Sequence, residues 1–170
     1  MSEKQEISKL RSFAKGFHRK GSLFLCLALS IVAADQLTKY IVKTNMALGQ
    51  SIPESGFFHF TYVQNTGAAF SILREHTFLL SIFSIIGVVL LLFIVFYLAD
   101  RIDFLKTTPA KFSLGLIMGG TVGNLIDRLS YGYVIDFIDF DFFATFNVAD
   151  SAITVGVLLL AFFYIRSAEN

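Results

Sequence analysis

From Phe78 to Ala99 the chain runs without one charged side chain. A stretch of that length and polarity is long enough to cross the hydrocarbon of a bilayer. There only a helix satisfies all of its backbone hydrogen bonds within a single segment. Three further runs read the same way: Ser22–Val42, Phe112–Leu129 and Ala152–Ile165. The sequence therefore predicts an α-helical integral membrane protein with four transmembrane helices, at about 22–42, 78–99, 112–129 and 150–166. The composition agrees. The chain is 55% hydrophobic and only 16% charged, against about 25% charged for a soluble domain.

Charge placement orients the helices. Lys4, Lys9, Arg11, Lys15, Arg19 and Lys20 crowd residues 1–21, and Arg101, Lys106 and Lys111 follow the second run, while the loop Met46–Thr77 holds only Arg74 among Lys and Arg. Basic residues concentrate on the cytoplasmic side. The expectation is a cytoplasmic basic tail over 1–21, a single membrane domain over 22–166 and a short cytoplasmic tail over 167–170. Net charge is +1, so no global basic character points to nucleic acid. The single cysteine, Cys26, lies in an apolar run and rules out an internal disulfide. His18, His59 and His76 lack ligand spacing, and neither a metal nor another cofactor is expected. Internal symmetry of the kind many transporters carry is absent.

The loops carry strand signals. Phe57–Gln64 is rich in β-formers, Asn65-Thr-Gly67 marks a turn, and Ala68–Ile72 reads as a second extended piece. Val134–Phe140 alternates in part like a strand, and Phe142–Phe146 reads as a short surface helix or lid. A small extracytoplasmic β-sheet is the expected outcome.

The polar residues within these apolar surroundings are the informative ones. Counted at about 1.5 Å per residue, Asp35 lies in the outer third of the first helix, with Lys39 one turn later. Gly115, Gly119 and Gly123 form a small-residue face on the third helix, suited to close helix approach. Asn124, Asp127 and Arg128 follow at its outer end. Asp136 and Asn147 fall in the next outer loop, and Asp150, as N-cap or first-turn acid, opens the last run. Desolvated carboxylates are costly, and ionisable groups at a membrane edge mark functional sites. Two carboxylates near one water can hydrolyse an amide, because repulsion leaves one protonated and one ionised. Spacing alone does not choose between Asp127, Asp136 and Asp150.

Five ordered blocks resemble the lipoprotein signal peptidases, signal peptidase II. They are Asp35-Gln-x-x-Lys39, Asn65-Thr-Gly-Ala-Ala-Phe70, Gly119-Gly-x-x-Gly-Asn-Leu-Ile-Asp-Arg128, Val134-Ile-Asp-Phe137 and Phe146-Asn-Val-Ala-Asp-Ser151. The resemblance implies an aspartic endopeptidase of the bacterial cytoplasmic membrane, active on the outer side. Its substrates would be diacylglyceryl-modified prolipoproteins, cut just before the lipid-bearing cysteine. Asp136 and Asp150 would form the catalytic dyad. Asn65, Gly67, Asn124, Asp127, Arg128, Asn147, Asp35 and Lys39 would bind substrate or support the site. Membrane lipid, a globomycin-type cyclic-peptide inhibitor and a monomeric state would also be implied.

Overall fold

The computed structural model describes residues 3–67 and 77–169. In chain order it contains helix α1 (Glu3–Asn45), strands β1 (Ser51–Ile52) and β2 (Phe58–Asn65), and helix α2 (Thr77–Phe93), which ends in a π-helical turn over Ile94–Leu98. A one-turn helix α3 (Asp103–Lys106), helix α4 (Thr108–Tyr131), strands β3 (Val134–Phe140) and β4 (Phe143–Phe146), and helix α5 (Val148–Ala168) complete it. Three stretches among the described residues are long and apolar enough to cross a membrane: Gly21–Asn45, Thr77–Leu98 and Val148–Ala168. The chain is thus a multi-pass membrane protein.

Helix α4 is as long but less apolar, and its position explains why. It packs against α1, α2 and α5, so less of it faces lipid. The glycine face predicted from sequence packs on α1. A Cβ at Gly115 would stand 3.0 Å from the Phe24 carbonyl oxygen, and one at Gly119 2.6 Å from Ile31 Cβ. Without a hydrophobic force between helices in lipid, such backbone approach is a main source of association. Phe24, Leu91, Val95, Leu114 and Met118 fill the space where α1, α2 and α4 meet. Helix α4 starts at Thr108, four residues before the apolar run, because Thr107 caps it by accepting from the Ala110 N–H at 3.3 Å and Pro109 occupies its first turn. It stops at Gly132, whose φ of 77° is the left-handed conformation that ends helices.

The four strands form one antiparallel sheet in the order β1-β2-β3-β4. Strand β2 takes its partners from β3, far along the chain: Phe58 faces Phe140, Phe60 faces Ile138 and Val63 faces Asp136. A register shift between Phe60 and Val63 keeps Val63 on the face of Asp136 and turns Tyr62 to the other. There Tyr62, Ile135 and Phe137 pack on Val42 near the end of α1. The surface helix expected over Phe142–Phe146 is instead strand β4, since this short run has no helical period and pairs with β3. The extended piece expected over Ala68–Ile72 lies outside the described residues.

Candidate active site

The sheet and the ends of α1, α4 and α5 meet around a polar network. At its base Lys39 is buried, with 2% exposure. Its ammonium lies 2.8 Å from Asp35 Oδ2 and 2.9 Å from Asp127 Oδ2, and donates to Asn124 Oδ1 at 3.0 Å. Both carboxylates are themselves buried and tie further elements in. Asp35 Oδ1 accepts the Ala149 N–H at 2.9 Å, one of the unpaired donors of α5's first turn. Asp127 Oδ2 accepts the Ile135 N–H at 3.0 Å, and its Oδ1 accepts from Gln36 at 2.9 Å. This knot joins α1, α4, α5 and β3. It holds the Asp127 side chain away from the cavity.

Above the knot stand three asparagines whose amide orientations are each fixed from outside. Asn124 must turn its oxygen to the Lys39 cation, so its Nδ2 is left to donate to Asp150 Oδ1, at 2.8 Å. Asn147 is the N-cap of α5, its oxygen accepting the Asp150 N–H at 2.9 Å. Its Nδ2 therefore faces Asp136 Oδ1 at 2.8 Å, with Asn124 Oδ1 at 3.1 Å. Asn65 accepts the Gly67 N–H at 2.9 Å, closing the turn, and its Nδ2 donates to Asp136 Oδ2 at 2.8 Å. Each amide thus presents N–H groups to a carboxylate. Asp150 is a first-turn acid and not the cap. Of the two roles sequence left open for Asp150, the structure gives it the second, and the cap falls to Asn147.

Asp136, on β3, and Asp150, on α5, line one cavity of about 750 Å³. Asn65, Gly67, Asn124 and Arg128 line it too, whereas Asn147, Asp35, Lys39 and Asp127 support it from behind. Asp136 is 2% exposed. Burial first, and then the charge of Asp150, push its carboxyl up to about 7, against the opposing amides of Asn65 and Asn147. Arg128 donates from Nη1 to Ser84 Oγ at 3.4 Å, while its buried Nε finds no partner among the described residues. Sequence reasoning gave no role to Ser84 or to the side chain of Gln36. Gln36 sits inside the first quoted block, but its bonds to Asp35, Asp127 and the Gly123 carbonyl depend on how α4 lies on α1. Among the described residues no group of three or more His, Cys, Asp or Glu is placed to hold a metal.

Asp136 is buried and Asp150 half-buried on one cavity of a membrane bundle, and comparison with known proteins gives the class: the protein is a hydrolase, a peptidase of the aspartic type. Residues 27–166 match the family described as Signal peptidase (SPase) II, and the chain belongs to that family. It is 48% identical over 151 residues to a lipoprotein signal peptidase of Dehalococcoides mccartyi, covering 89% of this chain and 94% of that one. A lipoprotein signal peptidase of Moorella thermoacetica is 46% identical over 138 residues, covering 81% and 89%. A bacterial membrane enzyme solved by the in meso method at 2.3 Å resolution superimposes with a TM-score of 0.75 at 33% identity, over 85% of this chain and 88% of that one.

Proposed function

We propose that this protein removes the signal peptide from diacylglyceryl-modified prolipoproteins, cutting just before the lipid-bearing cysteine, with Asp136 and Asp150 activating water. The observation that carries the reading is the placement of both acids on one cavity, each served by asparagines whose orientations are fixed elsewhere. Asp136 holds the proton near neutrality, because burial and the neighbouring charge favour its neutral form. Ionised Asp150 takes a proton from water, and the water oxygen attacks the scissile carbonyl carbon. Protonated Asp136 donates to the carbonyl oxygen as negative charge develops there. Collapse of the tetrahedral intermediate breaks the C–N bond: the proton gathered by Asp150 goes to the departing amine, and one hydroxyl of the intermediate returns its proton to Asp136 as the new carboxyl forms.

Arg128 grips carbonyl or lipid-ester oxygens of the substrate. Its orphaned Nε and planar fork of donors suit such acceptors. Helix α4 is the fourth span, both termini are cytoplasmic, and the sheet and cavity lie on the outer side of the bacterial cytoplasmic membrane, following the placement of Lys and Arg. The basic tail and the membrane domain divide near residue 21. The enzyme works as a monomer with membrane lipid and the prolipoprotein as its partners, and a globomycin-type cyclic peptide blocks the cavity.

The test is incubation of the purified protein with a precursor peptide, with and without the diacylglyceryl group, followed by mass spectrometry. Cleavage of the lipidated form alone, leaving the modified cysteine as the new N-terminus, is expected. Equal cleavage of both forms, or a cut elsewhere, would defeat the reading.

A further inference from the structure

The outer half of the sheet has two unlike faces. Phe58 and Phe60 on β2 share one face with Ile138 and Phe140 on β3, since Phe58 faces Phe140 and Phe60 faces Ile138. Phe143 on β4 pairs with Phe140. Two loop tips extend the same surface: Phe57 and Phe142 stack at 5.4 Å, and both contact Phe140, at 5.7 and 6.0 Å. The rings form a continuous array, yet Phe57 is 66% and Phe142 72% exposed. An apolar patch of this kind on a folded protein marks a contact surface.

The opposite face is polar and closed on itself. Thr61 donates to Asp139 at 2.7 Å and meets Ser51 at 2.9 Å. His59 binds the Pro53 carbonyl through Nδ1 at 2.7 Å and Asp141 through Nε2 at 3.0 Å. Those two contacts tie together the segments that carry Phe57 and Phe142. The exposed rings are therefore held in place from behind by a hydrogen-bonded clamp.

We infer that the phenylalanine face of the sheet is seated in the acyl-chain region of the adjacent bilayer leaflet, with the His59–Asp141 face toward water. Continuity with the lipid-facing surface identifies the occupant. Strand β4 ends at Phe146, and the membrane-crossing helix α5 begins two residues later at Val148. The wall of the cavity passes from Phe143 and Phe146 on the sheet to Ile153 and Val155 on α5, and Val155 is 48% exposed on the flank of that span. An amphipathic element at a bilayer edge settles with its apolar side about 5–10 Å into the boundary between headgroups and chains. Phenylalanine has no polar tip to hold it at the headgroups, unlike the Trp and Tyr of interfacial belts. Asp136 lies four residues before Phe140 on the same strand, so seating the sheet also fixes the depth of the acid.

The chain contains no tryptophan, which makes Phe142→Trp and Phe57→Trp clean single-fluorophore probes. Each full-length variant is reconstituted in nanodiscs, one protein per disc, with phospholipids brominated at the shallow end of their acyl chains. Both tryptophans should emit as in an apolar medium, lose roughly half or more of their intensity to bromine, and be shielded from aqueous acrylamide, as expected for an interfacially seated apolar face. Water-like emission with acrylamide quenching and no bromine quenching would overturn the inference. So would bromine quenching that appears only when the bromine is carried on the chains of an added lipidated peptide, which would make the face a substrate dock. Shielding present in crowded liposomes but lost in single-copy discs would also overturn it, in favour of contact with a second copy.

Discussion

Lys39→Met tests the foundation of the site. Lys39 is 2% exposed and its three donors serve Asp35, Asp127 and Asn124. Methionine fills a similar volume but leaves two buried carboxylates, each 0% exposed, with no cation between them. Removing one partner of a buried ion pair costs about 3–5 kcal/mol. For a chain of this size that corresponds to a fall of roughly 6–20 °C in melting temperature, readable by thermal unfolding in detergent micelles. Asn124 also loses the charge that orients its amide, so turnover should fall even where the variant remains folded. Adding Asp127→Asn removes one stranded charge, and the double variant should regain much of the lost stability, because the asparagine oxygen still accepts one of Asp127's backbone or amide donors. A melting temperature for Lys39→Met within about 2 °C of wild type, the shift that an ordinary surface change of about 0.5 kcal/mol gives, would refute the cluster as the support of the site.

Three further outcomes follow from the geometry. Gly119→Ala should destabilise by about 1–3 kcal/mol, because its Cβ would meet Ile31 Cβ at 2.6 Å and the Ala28 carbonyl oxygen at 2.8 Å; an unchanged melting temperature would show that α1 and α4 do not approach this closely. Asp136 is pushed from its ordinary 3.8 up to about 7, so kcat/KM should fall as pH rises through about 7 and the carboxyl loses its proton, while the stability it contributes, greatest on the acid side, also declines from pH 3.8 to about 7; a pH profile with no basic limb near 7 would contradict the assignment. Arg128→Lys should raise KM with modest loss of kcat, since the charge stays but the fork is lost, and a collapsed kcat at unchanged KM would place Arg128 on the transition state.

Much of this was legible in sequence, for identifiable reasons. The apolar runs marked the helices because lipid admits few alternatives, and the glycine spacing at 115, 119 and 123 marked a close-packing face, whose partner α1 only the structure identifies. Asp127 and Arg128 are neighbours on one helix, so they do not face the same way, and the structure turns them to different partners. Other features depend on contacts distant along the chain. Strand β4 has no period of its own and exists through its pairing with Ile138 and Phe140. The cap of α5 is Asn147, whose oxygen accepts the Asp150 N–H, and its amide reaches Asp136 and Asn124, contacts that local spacing cannot reveal. The surplus of phenylalanine, without evident cause in sequence, finds part of its reason in the exposed ring array of the sheet.

Whether Asp136 and Asp150 together carry hydrolysis is tested most directly by single-turnover cleavage of a lipid-modified precursor by Asp136→Asn and Asp150→Asn. Thermal unfolding checks first that both variants are folded. An amide can neither take water's proton nor share one with its neighbour, so each variant should lose at least about 100-fold in rate, with substrate still bound. Near wild-type cleavage by either folded variant would contradict a shared-proton dyad at this cavity.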